Sequence, residues 1–345
     1  MVRVVIQIPC FNEAGQLAAT VAALPVRLPG VDVLDVLVVD DGSTDGTAEV
    51  ARSLGIAHVV RLQRHRGLAF AFRSGLEAAV RLDADVIVNV DADNQYCADD
   101  IGSLVAPILR GDADLVVGAR PIAQINHFSA TRKMLQRVGS AVVRRLSGVD
   151  VPDATSGFRA LSRETALRIN VFSRYTYTLE TLIQAGQRRL VVGSVPIRVN
   201  PPTRASRLFA SPSDYVVRAV GSMLHAFIVY RPLRFFLVPA SVLFGIGAVL
   251  VLRFLYFYAM SEGASGHIQS LILAAILVLL AGLLVVAGIL AELLAINRRL
   301  LEEIQTAERR REWRAGADAR FDVPARFAQP AGDIVAAASP ARRRG

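Results

Sequence analysis

Three short acidic segments carry most of the chemistry this chain can do. They are Pro9-Cys10-Phe11-Asn12-Glu13, Asp40-Asp41-Gly42-Ser43-Thr44-Asp45 and Asp91-Ala92-Asp93-Asn94-Gln95. Carboxylates held close together repel, so such a set needs a cation or hydrogen-bond donors to be tolerated. The Asp-x-Asp-x-Gln spacing offers hard oxygen ligands, which suit Mg²⁺ or Mn²⁺ and not zinc. A divalent ion held by one or two carboxylates keeps open positions for phosphate oxygens, so the spacing points to a metal–diphosphate site. Taken alone, each segment has an ordinary reading; Asp41-Gly42-Ser43-Thr44 would serve as a turn and a helix cap. All three in order, each just after an apolar run, argue for one shared site.

Other chemistries find no support. No GxGxxG follows the first apolar run and no GxxxxGK[ST] occurs. The five histidines form no HxxxH pair. Cys10 and Cys97 make neither a disulfide framework nor a zinc spacing, and neither has a base nearby in sequence to activate it.

The elements that must position these segments alternate. Short β-branched runs at Val4–Ile8, Val33–Val39, Ala57–Leu62, Val86–Val90 and Leu115–Val117 read as strands. Glu13–Leu24, Thr44–Leu54, Leu68–Leu82 and Asp99–Leu109 read as helices between them. This predicts βαβ units and a mostly parallel, Rossmann-like α/β sheet, in which ligands sit at the carboxyl ends of strands.

The last third differs in character. Over 345 residues the chain is 53% hydrophobic and 20% charged, with a mean hydropathy of +0.41. That average suits a soluble domain joined to a few membrane spans. Phe235–Leu252 and Leu271–Ala291 are uncharged runs near the length of a transmembrane helix. Arg231 and Arg234 precede the first, and Arg298, Arg299 and Arg309–Arg311 follow the second. The positive-inside rule places both flanks, and with them the α/β domain, in the cytoplasm. Arg309–Arg311 reads as a helix end facing lipid headgroups. Within 212–230, Val216, Val217, Val220, Met223, Leu224, Phe227 and Ile228 recur at helical spacing, as in an amphipathic helix on a membrane surface. The predicted organisation is an α/β domain over 1–210, a juxtamembrane helix over 211–232, a transmembrane hairpin over 233–296 and a basic, partly disordered tail over 297–345. The net charge of +9 fits an anionic membrane surface. No nucleic-acid-binding motif accompanies it.

In its ordered motifs the chain resembles the GT-A-fold glycosyltransferases of family 2. Pro9-x-Phe11-Asn12-Glu13, Val38-Val39-Asp40-Asp41-Gly42-Ser43-Thr44-Asp45 and Asp91-Ala92-Asp93 carry that likeness. Asn94-Gln95, Ser156-Gly157-Phe158-Arg159 and the two spans narrow it to polyprenyl-phosphate glycosyltransferases, the group of dolichol-phosphate mannose synthases and bacterial undecaprenyl-phosphate glucosyltransferases. The resemblance covers roughly residues 2–295. Relatives commonly carry Asn where this chain has Arg64 or His65, and Ser where it has Gln136.

The resemblance implies roles. Pro9, Asn12, Glu13 and Asp41 would line the base and ribose pocket, with Gly67 in a glycine turn near the nucleotide. Asp91 would hold the ribose side and assist a Mg²⁺ or Mn²⁺ ligated by Asp93 and Gln95. Arg120 and Arg132, with Arg204 and Arg207 nearer the membrane, would bind the acceptor phosphate. Asp153 and Arg159 would close over the donor sugar, making Asp93, Asp153 and Arg159 the catalytic set. The implied reaction moves one sugar, with inversion, from a UDP- or GDP-sugar onto undecaprenyl or dolichyl phosphate at the cytoplasmic face of the inner membrane. A phosphate acceptor is already anionic, so no strong general base is required. The alternatives are transfer to a hydroxyl-bearing lipid or glycan, and a non-catalytic anchoring subunit. Two spans per chain leave room for a homo-oligomer.

Overall fold

A computed structural model of the chain describes residues 1–121, 130–171, 177–201, 221, 228–260 and 268–317. Two compact units divide it: Met1–Val216 with Gln305–Gly345, and Val217–Ile304.

The first unit is built on a seven-stranded sheet of order β3-β2-β1-β4-β6-β5-β7. Its strands are β1 (Arg3–Cys10), β2 (Val33–Asp40), β3 (His58–Arg61), β4 (Val86–Asn89), β5 (Leu115–Ala119), β6 (Arg159–Ser162) and β7 (Val192–Pro196). Strands β1 to β4 run parallel, and β7 runs parallel to β5. Only β6 is reversed, against both β4 and β5. The helices are α1 (Ala14–Ala22), α2 (Thr47–Ser53), α3 (Leu68–Arg81), α4 (Ile101–Leu109), α5 (Ala130–Ser147), α6 (Arg163–Arg168) and α7 (Thr178–Gln187).

The first five strands follow the expected runs. β6 and β7 escape a pattern reading: Arg-Ala-Leu-Ser has no apolar alternation, and Val-Gly-Ser-Val-Pro carries two poor strand formers, Gly and Pro. Tertiary pairing makes them strands. The core fills between sheet and helices with Val4, Ile6, Ile8, Val38, Val88, Leu104 and Phe158, all fully buried or nearly so. Helix α3 lies close on the sheet at Gly75, where an added Cβ would meet Gln7 Oε1 at 2.5 Å and Val39 Cγ2 at 3.1 Å. Glycine therefore sets how closely this helix approaches β1 and β2.

The second unit contains α8 (Pro232–Met260) and most of α9 (Ile268–Ala317). Both helices are long and apolar enough to cross a membrane. Their mutual contact uses small residues: Ala240, Ala274 and Ala281 are buried. A Cβ on Gly247 would sit 2.9 Å from Val278, and one on Gly288 3.0 Å from Phe236. Small residues let helices approach where lipid supplies no hydrophobic drive between them. Leu, Ile, Val and Phe side chains point outward along both. The surface helix expected over 211–232 falls mostly outside the described residues.

Helix α9 has 50 residues. At 1.5 Å per residue it is about 75 Å long, against about 30 Å of bilayer hydrocarbon. Its turns from Gln305 onward belong to the first unit. There Arg309 donates to the Ile169 carbonyl and to Glu77, each at 3.3 Å, and Arg310 pairs with Glu164. Trp313 Nε1 donates to Asp83 at 3.3 Å, and Arg163 lies over the indole. Two of the three arginines read as headgroup-facing thus engage protein carboxylates and a carbonyl. The reason is register: residues 306, 309, 310 and 313 share one helix face.

Candidate functional site

The carboxyl ends of β1, β2 and β4 lie side by side. Cys10 pairs with Asp40, Gln7 pairs with Asn89, and the Asp41 N–H donates to the Cys10 carbonyl at 2.8 Å. The three acidic segments therefore leave one edge of one sheet, as their spacing predicts.

On the β1–β2 side the loops are tied by side chain to backbone bonds. Asn12 adopts φ 55°. Its amide oxygen accepts from Thr44 N at 2.9 Å, and its own N–H donates to Ser43 Oγ at 2.9 Å. The Glu13 N–H donates to Thr47 Oγ1 at 2.9 Å. The Asp41 carboxylate, buried, accepts from Arg66 N at 2.8 Å and Gly67 N at 2.7 Å. His65 Nδ1 lies 2.8 Å from Asp41 Oδ2, and its ring stacks on Phe11 with centroids 3.8 Å apart. Gly42 has φ 71°, and a Cβ there would meet the Arg64–His65 backbone at 2.6–2.7 Å. Only glycine allows the second acidic segment to pass under the Arg64–Gly67 turn. Asn12, Glu13, Asp41 and Gly67 are thus brought together. Pro9 is not part of an open wall: it is buried within β1, opposite Val39. Buried Cys10 has its thiol pushed up by burial first, then by Glu13, Asp40 and Asp45. It stays protonated, in line with the absence of a nucleophilic cysteine.

On the β4 side, bonds between side chains join those between side chain and backbone. Asp91 is half-buried, and its pKa is pushed up to about 7, first by desolvation and then by the charge of Asp93. Asp93 Oδ1 accepts from Gln95 N at 3.2 Å. A carboxylate whose pKa is raised by the charge of its neighbour fits a divalent cation, which would relieve the repulsion. Among the described residues no cluster of three or more His, Cys, Asp or Glu forms a self-sufficient metal cage. The donor set instead suits an ion that shares its shell with phosphate.

Three of the expected roles meet a different arrangement here. Asp153 and Arg120, read as a sugar-positioning carboxylate and a free phosphate-binding arm, bind each other. Arg120 Nε donates to Asp153 Oδ2 at 2.6 Å and Nη2 to Oδ1 at 3.1 Å, with a further bond to Thr155 Oγ1 at 2.9 Å. Burial raises the Asp153 pKa, but Arg120 overrides it and holds the carboxyl below its ordinary range. Arg159, read as closing over the sugar, is fully buried at the start of β6. Its guanidinium donates to the carbonyls of Ser156, Ala154 and Thr178 and to Thr181 Oγ1. It folds the 154–157 turn against α7 and does not reach outward. Arg132 lies in α5. Arg204 and Arg207 lie outside the described residues.

A buried polar network beneath Asp91 was not expected. Gln7 Nε2 donates to Asn89 Oδ1 at 2.9 Å, and Asn89 Nδ2 donates to the Gly157 carbonyl at 2.9 Å and to Tyr177 Oη at 2.8 Å. The Gly157 N–H donates to Tyr96 Oη at 3.2 Å, and the Tyr96 hydroxyl eases the charge of Asp91. The signal was legible in part: Gln7 and Asn89 are lone amides inside apolar strands. Tyr96 and Tyr177 gave no such sign.

Parallel strands feeding acidic loops at one edge, with a reversed strand inserted beside them, define a GT-A nucleotide-sugar fold. A solved glucosyl-3-phosphoglycerate synthase from Mycobacterium tuberculosis, in complex with Mn²⁺, UDP-glucose and phosphoglyceric acid, shares this fold. Its TM-score is 0.51 at 22% identity, covering 65% of this chain and 78% of that one. The glycosyl transferase family 2 profile matches residues 5–168. The polyprenol monophosphomannose synthase of Mycolicibacterium smegmatis is 30% identical over 206 residues, 56% of this chain and 76% of that protein. The undecaprenyl-phosphate mannosyltransferase of Micrococcus luteus is 32% identical over 175 residues, 49% of this chain and 70% of that protein. A UDP-N-acetylglucosamine–dolichyl-phosphate N-acetylglucosaminyltransferase of Methanococcus voltae is 29% identical over 213 residues, 55% and 83% of the two chains. The chain belongs to glycosyltransferase family 2, and it is a glycosyltransferase.

Proposed function

We propose that this enzyme moves one sugar from a nucleotide-sugar onto a polyprenyl phosphate at the cytoplasmic face of a membrane in which its hairpin sits. One observation carries the reading: a single chain joins an acidic nucleotide-sugar edge to two helices apolar enough to span a bilayer. The named acceptors of the relatives, polyprenol, undecaprenyl phosphate and dolichyl phosphate, support it.

Asp91 and Asp93, with Gln95, would hold a Mg²⁺ or Mn²⁺ against the donor diphosphate. A bound ion supplies charge stabilisation for the departing nucleoside diphosphate. Asn12, Glu13, Asp41 and Gly67 shape the nucleotide half. The Arg120–Asp153 pair places a fixed cation beside Asp91 and orders the loop from 153 to 157. With Arg120 engaged, Arg132, Arg204 and Arg207 are the residues proposed to meet the acceptor phosphate. That acceptor is already anionic, so the site needs orientation more than a base. One displacement inverts the anomeric carbon.

The test is transfer by the full-length protein in lipid nanodiscs, offering undecaprenyl phosphate and a panel of UDP- and GDP-sugars, with Mn²⁺, Mg²⁺ or EDTA. A metal-dependent lipid-phosphate sugar is expected. Nucleotide release without that product, but with a glycosylated hydroxyl lipid, would replace the acceptor. No turnover of any donor in any metal would leave only an anchoring role.

A further inference from the structure

Tyr96 occupies an unusual place in the acidic loop. Its hydroxyl is buried between two elements that the site must hold together. From one side it accepts the Gly157 N–H at 3.2 Å. On the other side it eases the charge of the Asp91 carboxylate. Gly157 is packed so closely there that a Cβ would lie 2.8 Å and 3.0 Å from the two Asp91 oxygens. The Tyr96 ring is fixed by stacking on Phe158, centroids 5.0 Å apart. Its main chain is pinned by a bridge to Val199 and by Asn200 Nδ2, which donates to the Asn94 and Tyr96 carbonyls at 2.9 and 3.3 Å. The ring and backbone are thus over-determined, and the hydroxyl has one place to be.

We propose that Tyr96 is a positioning residue that latches the Asp91 carboxylate to the main chain of Gly157, so that the acidic loop and the Ser156–Gly157 turn take up the metal as one unit. The proposal rests on the reading that Asp91 and Asp93 hold a divalent ion. A hydroxyl that orients a ligating carboxylate acts on metal affinity, and loss of such a partner costs about 10–100-fold. Tyr177 is the comparison: its hydroxyl also lies near Asp91, 2.9 Å from the same Gly157 Cβ position, but takes no Gly157 N–H. It sits in the same network, bonding Asn89 and the Gly157 carbonyl, and is equally buried.

The experiment titrates Mn²⁺ into full-length protein with and without UDP, following free Mn²⁺ by electron paramagnetic resonance, beside a thermal melt of each variant. Tyr96→Phe is expected to weaken Mn²⁺ binding about 10-fold or more. Tyr177→Phe should lower the melting temperature while changing Mn²⁺ binding less than threefold. Equal Mn²⁺ affinity in Tyr96→Phe and wild type would overturn the latch. So would equal weakening in both tyrosine variants, which would mark loose packing. Failure of wild type to take up Mn²⁺ under either condition would overturn the metal reading and this proposal with it. Should Tyr96→Phe not fold, Gly157→Ala attacks the same latch from its other end. It must then weaken Mn²⁺ binding at least as much.

Discussion

Both halves of the site use side chain to backbone bonds; the β4–β6–β5 half adds bonds between buried side chains. At the β1–β2 edge, side chains of one loop receive or reach the backbone of the next: Asn12 to Thr44, Ser43 to Asn12, Asp41 to Arg66 and Gly67. At the β4–β6–β5 edge, buried side chains meet each other: Arg120 with Asp153, Asn89 with Gln7 and Tyr177, Tyr96 with Asp91. A backbone donor near water can be resatisfied by water when its partner is lost. A buried charge cannot, since its desolvation has no other compensation. The difference teaches where the enzyme is brittle.

The largest expected effect breaks the brittle half. Arg120→Ala leaves the Asp153 carboxylate buried and unpaired, and should cost about 3–5 kcal/mol in chemical unfolding. Replacing both partners, Arg120→Met with Asp153→Leu, should recover most of that stability and none of the transfer activity. Stability returning together with activity would mean the pair is only structural.

Asp93→Ala comes next. Loss of a carboxylate proposed to ligate the ion should lower transfer by at least the ~100-fold that an outer-shell loss can cost. The dependence of rate on Mn²⁺ should shift to higher concentration, which an initial-rate titration reads directly.

Acid sharpens the comparison further. Arg120 holds Asp153 below its ordinary pKa against the opposing effect of burial. A carboxylate depressed in the folded state adds stability that is complete above its unfolded pKa of about 4 and lost as pH falls through the folded value. The stability gap between wild type and the Arg120→Met/Asp153→Leu variant should hold steady from neutral pH to about pH 5. It should move toward the double variant only below about pH 4. Melting temperatures over that range decide it.

The smallest effect belongs to the other half. Asn12→Ala removes the exposed bonds its amide oxygen accepts from Thr44 N and Oγ1, each worth about 1 kcal/mol. A weakening of UDP binding beyond about tenfold in calorimetry would show that Asn12 touches the nucleotide directly.

How much of this was legible depends on range. The five parallel-sheet runs, the three acidic loops and both apolar helices repeat a local pattern, and a local pattern is what a sequence displays. β6 carries no such pattern; it is a strand because β4 and β5 flank it. Asp153 and Arg120 are each readable as charged residues beside the site, but nothing in 33 residues of separation says they face each other. Arg159 reads as an outward arm until the carbonyls of a turn and of α7 surround it. Arg309 and Arg310 read as a lipid-facing run until Glu77 and Glu164 meet them.

From the sequence came the alternation of strand and helix, the metal-suited spacing of Asp91 and Asp93, and two apolar runs long enough to span a bilayer. Each follows from periodicity or from residues close along the chain. Only the tertiary structure decided which charges pair, which arginine is buried, and that Tyr96 and Gly157 close on Asp91. Those outcomes depend on desolvation, and a group's burial is a property of what packs against it from distant parts of the chain.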